Sequence, residues 1–493
     1  MRIRSFAAWR TWYQNIRNWR RVYAAERRRA RLRSSSYLRL EPEVLETRQV
    51  LTATLTGALD VNFDGDGIRT LPSTLGTDDT AHDAAQQADG KLVVVTVNRD
   101  GTSSMGPSKV TRYNVDGSVD TTFGTGGTVT FGNAVRLSNV EIQADGKIVV
   151  AGESSTSLYL ARITAGGTLD TTFGSAGSTT IAHGNNSVST YPVGLAVQSD
   201  GKIVATKQAN LTNFAVIRTT STGALDTTFN GIGYYNLDLG GDETAHEVLL
   251  QADGKILVAG TTYAASNADY FAVRLTTGGV LDTTYNASGI VKVNVAAGAT
   301  TYDEARAAVL QSDGKLIVAG TADRFGVSDF GLIRLNTDGT LDTSFGTGGK
   351  QISDLGGSGN ELYGVAVQAD GKIVVGGTVS YDFTLARFTT TGALDTTFDG
   401  DGKQTLDLNS LDSLKHVLVQ ADGKIVIVGA TESITSGAEA LIARFNAAGA
   451  LDTTFNGVGY RVHNFGLGSS IATAIAALPD GRFLVAGFLP EDG

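Results

Sequence analysis

Five histidines are available for chemistry in this chain of 493 residues: His82, His183, His246, His416 and His463. Two of them, His82 and His246, hold the same place in a repeated pattern, seven residues before an Asp-Gly pair. The other copies carry Ser138, Val193, Arg306, Tyr363, Lys415 and Thr473 at that place. Carboxylates come just before it: Asp78, Asp79, Asp242, Glu243, Asp303, Glu304 and Glu361. Side chains that differ from copy to copy in an otherwise constant repeat have the character of a binding rim. The candidate binding residues are therefore Asp78, Asp79, His82, Asp242, Glu243, His246, Asp303, Glu304, Arg306, Glu361, Tyr363 and Lys415. Imidazole beside carboxylate also supplies acid–base chemistry, so a lyase or glycosidase reading stands as the alternative. The plainest alternative is a solvated turn in each copy.

A second stretch could hold a cation. Residues 60–67 read DVNFDGDG, with Asp60, Asn62, Asp64 and Asp66 spaced like the first half of a calcium loop. The twelfth position is Leu71, where such a loop needs a bidentate glutamate. Calcium is the one cofactor these residues suggest, and no other is expected. There is no cysteine for thiolate chemistry or disulfides. GxSxG, HExxH and GxxxxGK[ST] are absent. Residues 50–493 contain no tryptophan, against a quinone-dependent dehydrogenase, which docks its blades through tryptophan.

The elements that position these residues come from the repeat. QADGK or a variant is centred on Asp89, Asp145, Asp200, Asp253, Asp313, Asp370 and Asp422, with a degenerate copy at Asp480. LDTTF or a variant interleaves at Asp60, Asp120, Asp170, Asp226, Asp282, Asp342, Asp395 and Asp452. One unit, residues 360–408, holds four short apolar runs bounded by Gly, Asp and Asn: GVAVQ, KIVVGG, FTLARF and KQTLDL. Four strands in about 55 residues make one propeller blade. Eight copies of each motif predict an all-β, eight-bladed β-propeller with four-stranded blades. The last copy, which runs out after 481–493, has the first two strands of a blade, and residues 51–71 supply the missing half. The N-terminal strands are expected to complete the last blade, leaving no open sheet edge. Asp-Gly between apolar runs predicts a two-residue type I′ turn. A recurrent arginine (Arg112, Arg162, Arg218, Arg274, Arg334, Arg387, Arg444) is expected to pair with a motif aspartate of its own blade. If GVAV is the innermost strand, the variable position lies at one mouth of the central channel.

The paired motifs LDTTFGxGG and QxDGKIVVAG resemble the delta-60 repeat, a bacterial β-propeller family of unknown function, over about residues 51–493. The blades also resemble NHL-type blades. The resemblance implies the architecture and no activity.

Residues 1–49 form a different segment. They hold 13 arginines, no lysine and 4 glutamates, against 27 basic and 46 acidic residues in the remainder. Phe6, Trp9, Tyr13, Ile16, Trp19 and Tyr23 recur at helical steps. A basic, aromatic, amphipathic helix suits a targeting segment or peripheral contact with an anionic membrane. Leu40, Glu41, Pro42, Leu45, Glu46, Arg48, Val50, Leu51, Thr52 and Ala53 resemble the N-terminal LEPR signature of large exported proteins of planctomycete-type bacteria. That resemblance implies secretion or cell-surface location. No run is long and apolar enough to cross a membrane as a helix. The acidic body argues against nucleic acid as partner. The sequence thus divides into a basic targeting or anchoring segment, 1–49, and a propeller, 50–493. The expected function is non-catalytic binding or scaffolding of a protein, glycan or envelope component through one rim, with calcium-stabilised scaffolding as a further alternative.

Overall fold

In the computed structural model the chain divides into two units, Met1–Leu45 and Glu46–Gly493. The structure describes residues 47–488 apart from short stretches, the longest being 54–67, 184–193 and 464–470. The helical pattern expected in the head lies outside the described residues. No described helix is long and apolar enough to cross a membrane.

All the named elements are β-strands, and they form four-stranded antiparallel sheets. Seven sheets are contiguous in sequence: blade 1 (77–130), blade 2 (135–181), blade 3 (195–237), blade 4 (242–293), blade 5 (304–353), blade 6 (361–406) and blade 7 (411–463). One further sheet is composite. In spatial order it joins Ile471–Ala477, Phe483–Phe488, Thr47–Ala53 and Ile68–Pro72, with Val50 opposite Ala486 on one side and Arg69 on the other. The first strand of each sheet packs against the first strand of the next, and the composite sheet packs against blade 7 and blade 1. First strands are therefore innermost.

The fifty-odd-residue repeat builds blades because its second strand opens on a run of apolar residues and stays buried along most of its length. Ile373–Val379 is buried at every residue, as a strand covered by sheets on both sides must be. The core consists of clusters between neighbouring blades. One joins Leu257 and Tyr270 of blade 4 to Leu316 and Ile333 of blade 5.

An arginine box locks each of the seven blades. Arg274 Nε donates to Asp282 Oδ2 at 2.8 Å, and the guanidinium lies 4.4 Å from the Tyr285 ring centroid. Lys255, of the Asp-Gly-Lys turn, reaches the same carboxylate at 3.1 Å. Arg274 Nη1 crosses to the carbonyl of Thr337 in blade 5. Equivalent arginines join blades 1 to 2, 2 to 3, 3 to 4, 5 to 6 and 6 to 7. The arginine thus pairs with the LDTTF aspartate eight residues on, a choice that spacing alone left open.

The composite sheet departs from this scheme. Its counterpart of the arginine is Thr52, and the buried Arg444 Nη1 of blade 7 has no hydrogen-bond partner. The expected count of eight repeat blades is therefore corrected to seven blades that carry the box. The remaining sheet is a seam made from both ends of the body, not an eighth copy of the unit. The turn type is also corrected. Gln143 N–H bonds to Lys147 O across three residues, and only Gly146 has positive φ (80°). A three-residue loop leaves Asp145 free to accept the Lys147 N–H at 3.1 Å, which a type I′ turn would prevent.

Candidate functional site

Because strands alternate direction, each blade has two ends. One end carries the Gln-x-Asp-Gly-Lys and LDTTF turns. The other carries the start of the innermost strand and the hairpin between the second and third strands. The candidate residues lie at this second end.

Apart from that of blade 3, each innermost strand breaks register there. The shifts fall between Ala81 and Asp83, Leu137 and Asn139, Ala245 and Glu247, Ala305 and Ala307, Leu362 and Gly364, Leu414 and His416, and Ala472 and Ala474. The extra residue in each case is the variable one: His82, Ser138, His246, Arg306, Tyr363, Lys415 and Thr473. A β-bulge leaves that residue out of the ladder and re-aims its side chain. Val193, its counterpart in blade 3, lies outside the described residues. The bulge has a partner in the repeat. A Cβ on Gly152, Gly260, Gly320, Gly377 or Gly429 would fall about 2 Å from a carbonyl oxygen just before the bulge. The final glycine of KIVVAG makes room for that carbonyl.

Ahead of the bulge the strand alternates. Asp242, Tyr302 and Leu411, four residues before it, are exposed. Glu243, Asp303, Asn360 and Asp412, three residues before it, are buried. Glu304 and Glu361, two residues before it, face outward again. Glu243 accepts the Thr262 hydroxyl at 3.0 Å and the Gly241 N–H at 3.1 Å. Asp303 accepts the N–H groups of Val295, Ala296 and Asp323. These two candidates brace loops from inside. Asp78 and Asp79 lie in strand Thr77–Gln86, opposite Arg99 and Asn98. Asp60, Asn62, Asp64 and Asp66 lie outside the described residues. Among the described residues no cluster of His, Asp and Glu forms a metal centre.

Blades 4 to 7 bring the outward-facing candidates together. Arg306 pairs with Glu304, which also accepts the Tyr263 hydroxyl at 3.1 Å. Arg306 stands 5.9 Å from the Tyr363 ring centroid, and Lys415 stands 6.0 Å from it. The Tyr363 hydroxyl donates to Glu361. Burial, then the positive charge of Arg306, pushes the His246 imidazole down to about 4.

Deeper in the channel are groups that sequence reasoning missed. Burial raises Asp83 to about 6 against hydrogen bonds from Val140 and Ala84 N–H, and raises Glu247 to about 7. Glu141 rises to about 7 by desolvation and then by the charge of Asp83. His416 reaches solvent, yet the surrounding wall lowers its pKa. The bulge is the reason these residues were missed. One inserted residue shifts the alternation, so positions after it face the channel out of phase with those before it. At the opposite end, a cavity of about 620 Å³ between blades 4 and 5 is lined by Gln251, Lys255, Arg274, Gln311, Thr337 and Asp338. Its cationic side chains, Lys255 and Arg274, are already engaged in the arginine box.

Radial four-stranded sheets, interlocked around first strands that line a channel, define a β-propeller. The chain belongs to the repeat family described as "Domain of unknown function (DUF5122) beta-propeller", whose sequence model matches residues 87–123, 143–173, 198–229, 251–285, 311–345, 368–398 and 420–455. Each match falls in one of the seven contiguous blades. No curated protein matches the chain in sequence. Solved structures similar to it include Sqt1 from Chaetomium thermophilum, at 13% identity over 84% of this chain and 97% of that chain, with a TM-score of 0.49. Virginiamycin B lyase from Staphylococcus aureus is similar at 10% identity over 71% and 94%, TM-score 0.39. Drosophila Semaphorin 1b, extracellular domains 1–2, is similar at 9% identity over 72% and 85%, TM-score 0.40.

Proposed function

We propose that Glu46–Gly493 is a non-catalytic binding propeller, exported and held at the cell surface, that engages a protein, glycan or envelope component through its bulge face. The observation that carries this reading is the ring of bulges. Seven backbone-equivalent positions present seven side chains, and the set spans imidazole, hydroxyl, guanidinium, phenol and ammonium. The scaffold spends its constant residues on the arginine box at the opposite end. Constancy at one end and variety at the other is the division of labour of a binding scaffold. Export is supported by the basic aromatic head and by the LEPR-like stretch.

The test replaces His82, His246, Arg306, Tyr363 and Lys415 by serine together. The expected result is an unchanged melting temperature with loss of binding to isolated cell envelopes of the producing organism. Retained binding sinks the reading. A second reading, a lyase or glycosidase, draws on the channel carboxylates Asp83, Glu141 and Glu247, which stay partly protonated near neutrality. It requires turnover of a polysaccharide that is lost in Glu247→Gln.

A further inference from the structure

We infer that the bulge face of blades 5 to 7 docks a polypeptide segment of another protein, one carrying an apolar side chain next to a carboxylate. The inference rests on the bulge-face reading and names its partner.

The first observation is where apolar surface is exposed. Among the described residues, Tyr302 (51% exposed), Val327 (59%), Tyr381 (62%) and Leu411 (50%) all lie at the bulge end of three successive blades. At the other end the exposed residues Val115, Ile232, Val280 and Val458 occur singly, one to a blade, in the repeat turns. Single exposed aliphatics need no explanation, whereas a grouped set marks an interaction surface.

The second observation is the backbone of Tyr381. Ser380 and Tyr381 form the tip between strands Ile373–Val379 and Asp382–Phe388, with φ of 52° and 71°. Asn-Gly is the ordinary choice for a tip with two positive φ angles. A bulky side chain there is strained, and such strain concentrates where a side chain has a task. The tip is also fixed: the Asp412 N–H donates to the Tyr381 carbonyl at 2.8 Å, which holds Tyr381 beside Leu411.

The third observation is Lys415, four residues along the same strand at the channel mouth. Every other described lysine has a hydrogen bond, an ion pair or another interaction accounted for. Lys415 faces the Tyr363 ring and makes no hydrogen bond or ion pair. Glu361, whose charge it feels, is engaged by the Tyr363 hydroxyl. An unpaired ammonium against an aromatic ring offers a place for a carboxylate. Leu411 and Val327 decide between partner classes. Exposed aliphatic chains gain by burial against apolar side chains, and tyrosine with a nearby cation is the composition of protein-binding hot spots.

The test pans a displayed random-peptide library on the full chain. The expected outcome is enrichment of peptides with an apolar residue beside Asp or Glu. Their affinity should fall at least about tenfold in Tyr381→Gly and in Lys415→Gln, and stay unchanged in Ile232→Ser. Tyr381→Gly is a clean variant, because glycine relieves the strained tip, so its melting temperature should hold or rise. Enriched peptides that bind both variants normally overturn the inference. Binding of polygalacturonate that depends on Lys415 but not on Tyr381 overturns the peptide partner and leaves the bulge-face reading standing. If neither probe binds in a way that either variant weakens, both fall.

Discussion

Gly320 shows how a single residue of the repeat shapes the binding face. An added Cβ would sit 1.9 Å from the Glu304 carbonyl oxygen and 2.8 Å from the Ala305 Cα. Neither atom belongs to a flexible side chain, so the strand must move. Gly320→Ala should destabilise the body by about 1–3 kcal/mol in urea titration and should disturb the Arg306–Tyr363 contact beyond it. An unchanged unfolding midpoint would mean that the bulge does not depend on this glycine. Blade 1 has Thr96 at the equivalent place, so the requirement follows the path of the carbonyl in each blade. At this scale the sequence was partly legible. The variable position was visible from its distance to the Asp-Gly turn. Asp242 and Glu243 looked equivalent, yet one is exposed and the other buried. The period of two separates them: Glu243 falls in phase with buried Leu362 and Leu414, two residues further along their strands. Asp83, Glu141 and Glu247 had no comparable signal, because the bulge that turns them to the channel is set by backbone geometry.

At the scale of elements, the arginine box is both the fold's lock and its count. Removing Arg274 strands a buried Asp282 with Lys255 as its remaining cation and opens the clamp to blade 5. Arg274→Met should cost about 3–5 kcal/mol. Arg444 makes the same pair within its blade at 2.8 Å, but its Nη1 has no hydrogen-bond partner among the described residues, so Arg444→Met should cost measurably less in the same denaturation assay. Equal costs would show that the cross-blade carbonyl adds nothing. The motifs made the blade and its four strands legible. They counted one unit too many because Asp60 and Asp480 keep the turn signatures, while the arginine that makes a unit a box is missing between them. The strand Thr47–Ala53 overlaps the second half of the LEPR-like stretch. Processing beyond Glu46 would therefore remove a strand of the composite sheet.

At the scale of the whole molecule, two groups of carboxylates pull stability in opposite directions with pH. The box aspartates are depressed. At Asp282 burial raises the pKa, but hydrogen bonds from Thr284 and Lys255 and the charge of Arg274 outweigh it and hold the group at about 2. Their contribution is present above about pH 4 and is lost as pH falls toward 2. Asp83, Glu141 and Glu247 are raised to about 6–7. The folded state binds their protons more tightly, so stability falls as pH rises from about 4 to 7. Glu247→Gln should therefore lose less melting temperature than the native protein between pH 4 and 7. The same decline in Glu247→Gln as in the native protein would contradict the placement of Glu247 in the channel wall. The central claim concerns which face meets the partner. It is tested most directly by hydroxyl-radical footprinting of the protein free and bound to isolated envelopes. The account predicts protection of Tyr363, Tyr381 and Leu411, with Ile232 and Val458 as reactive as before. Protection of Ile232 and Val458 with Tyr381 left reactive would place the partner on the opposite face and contradict it.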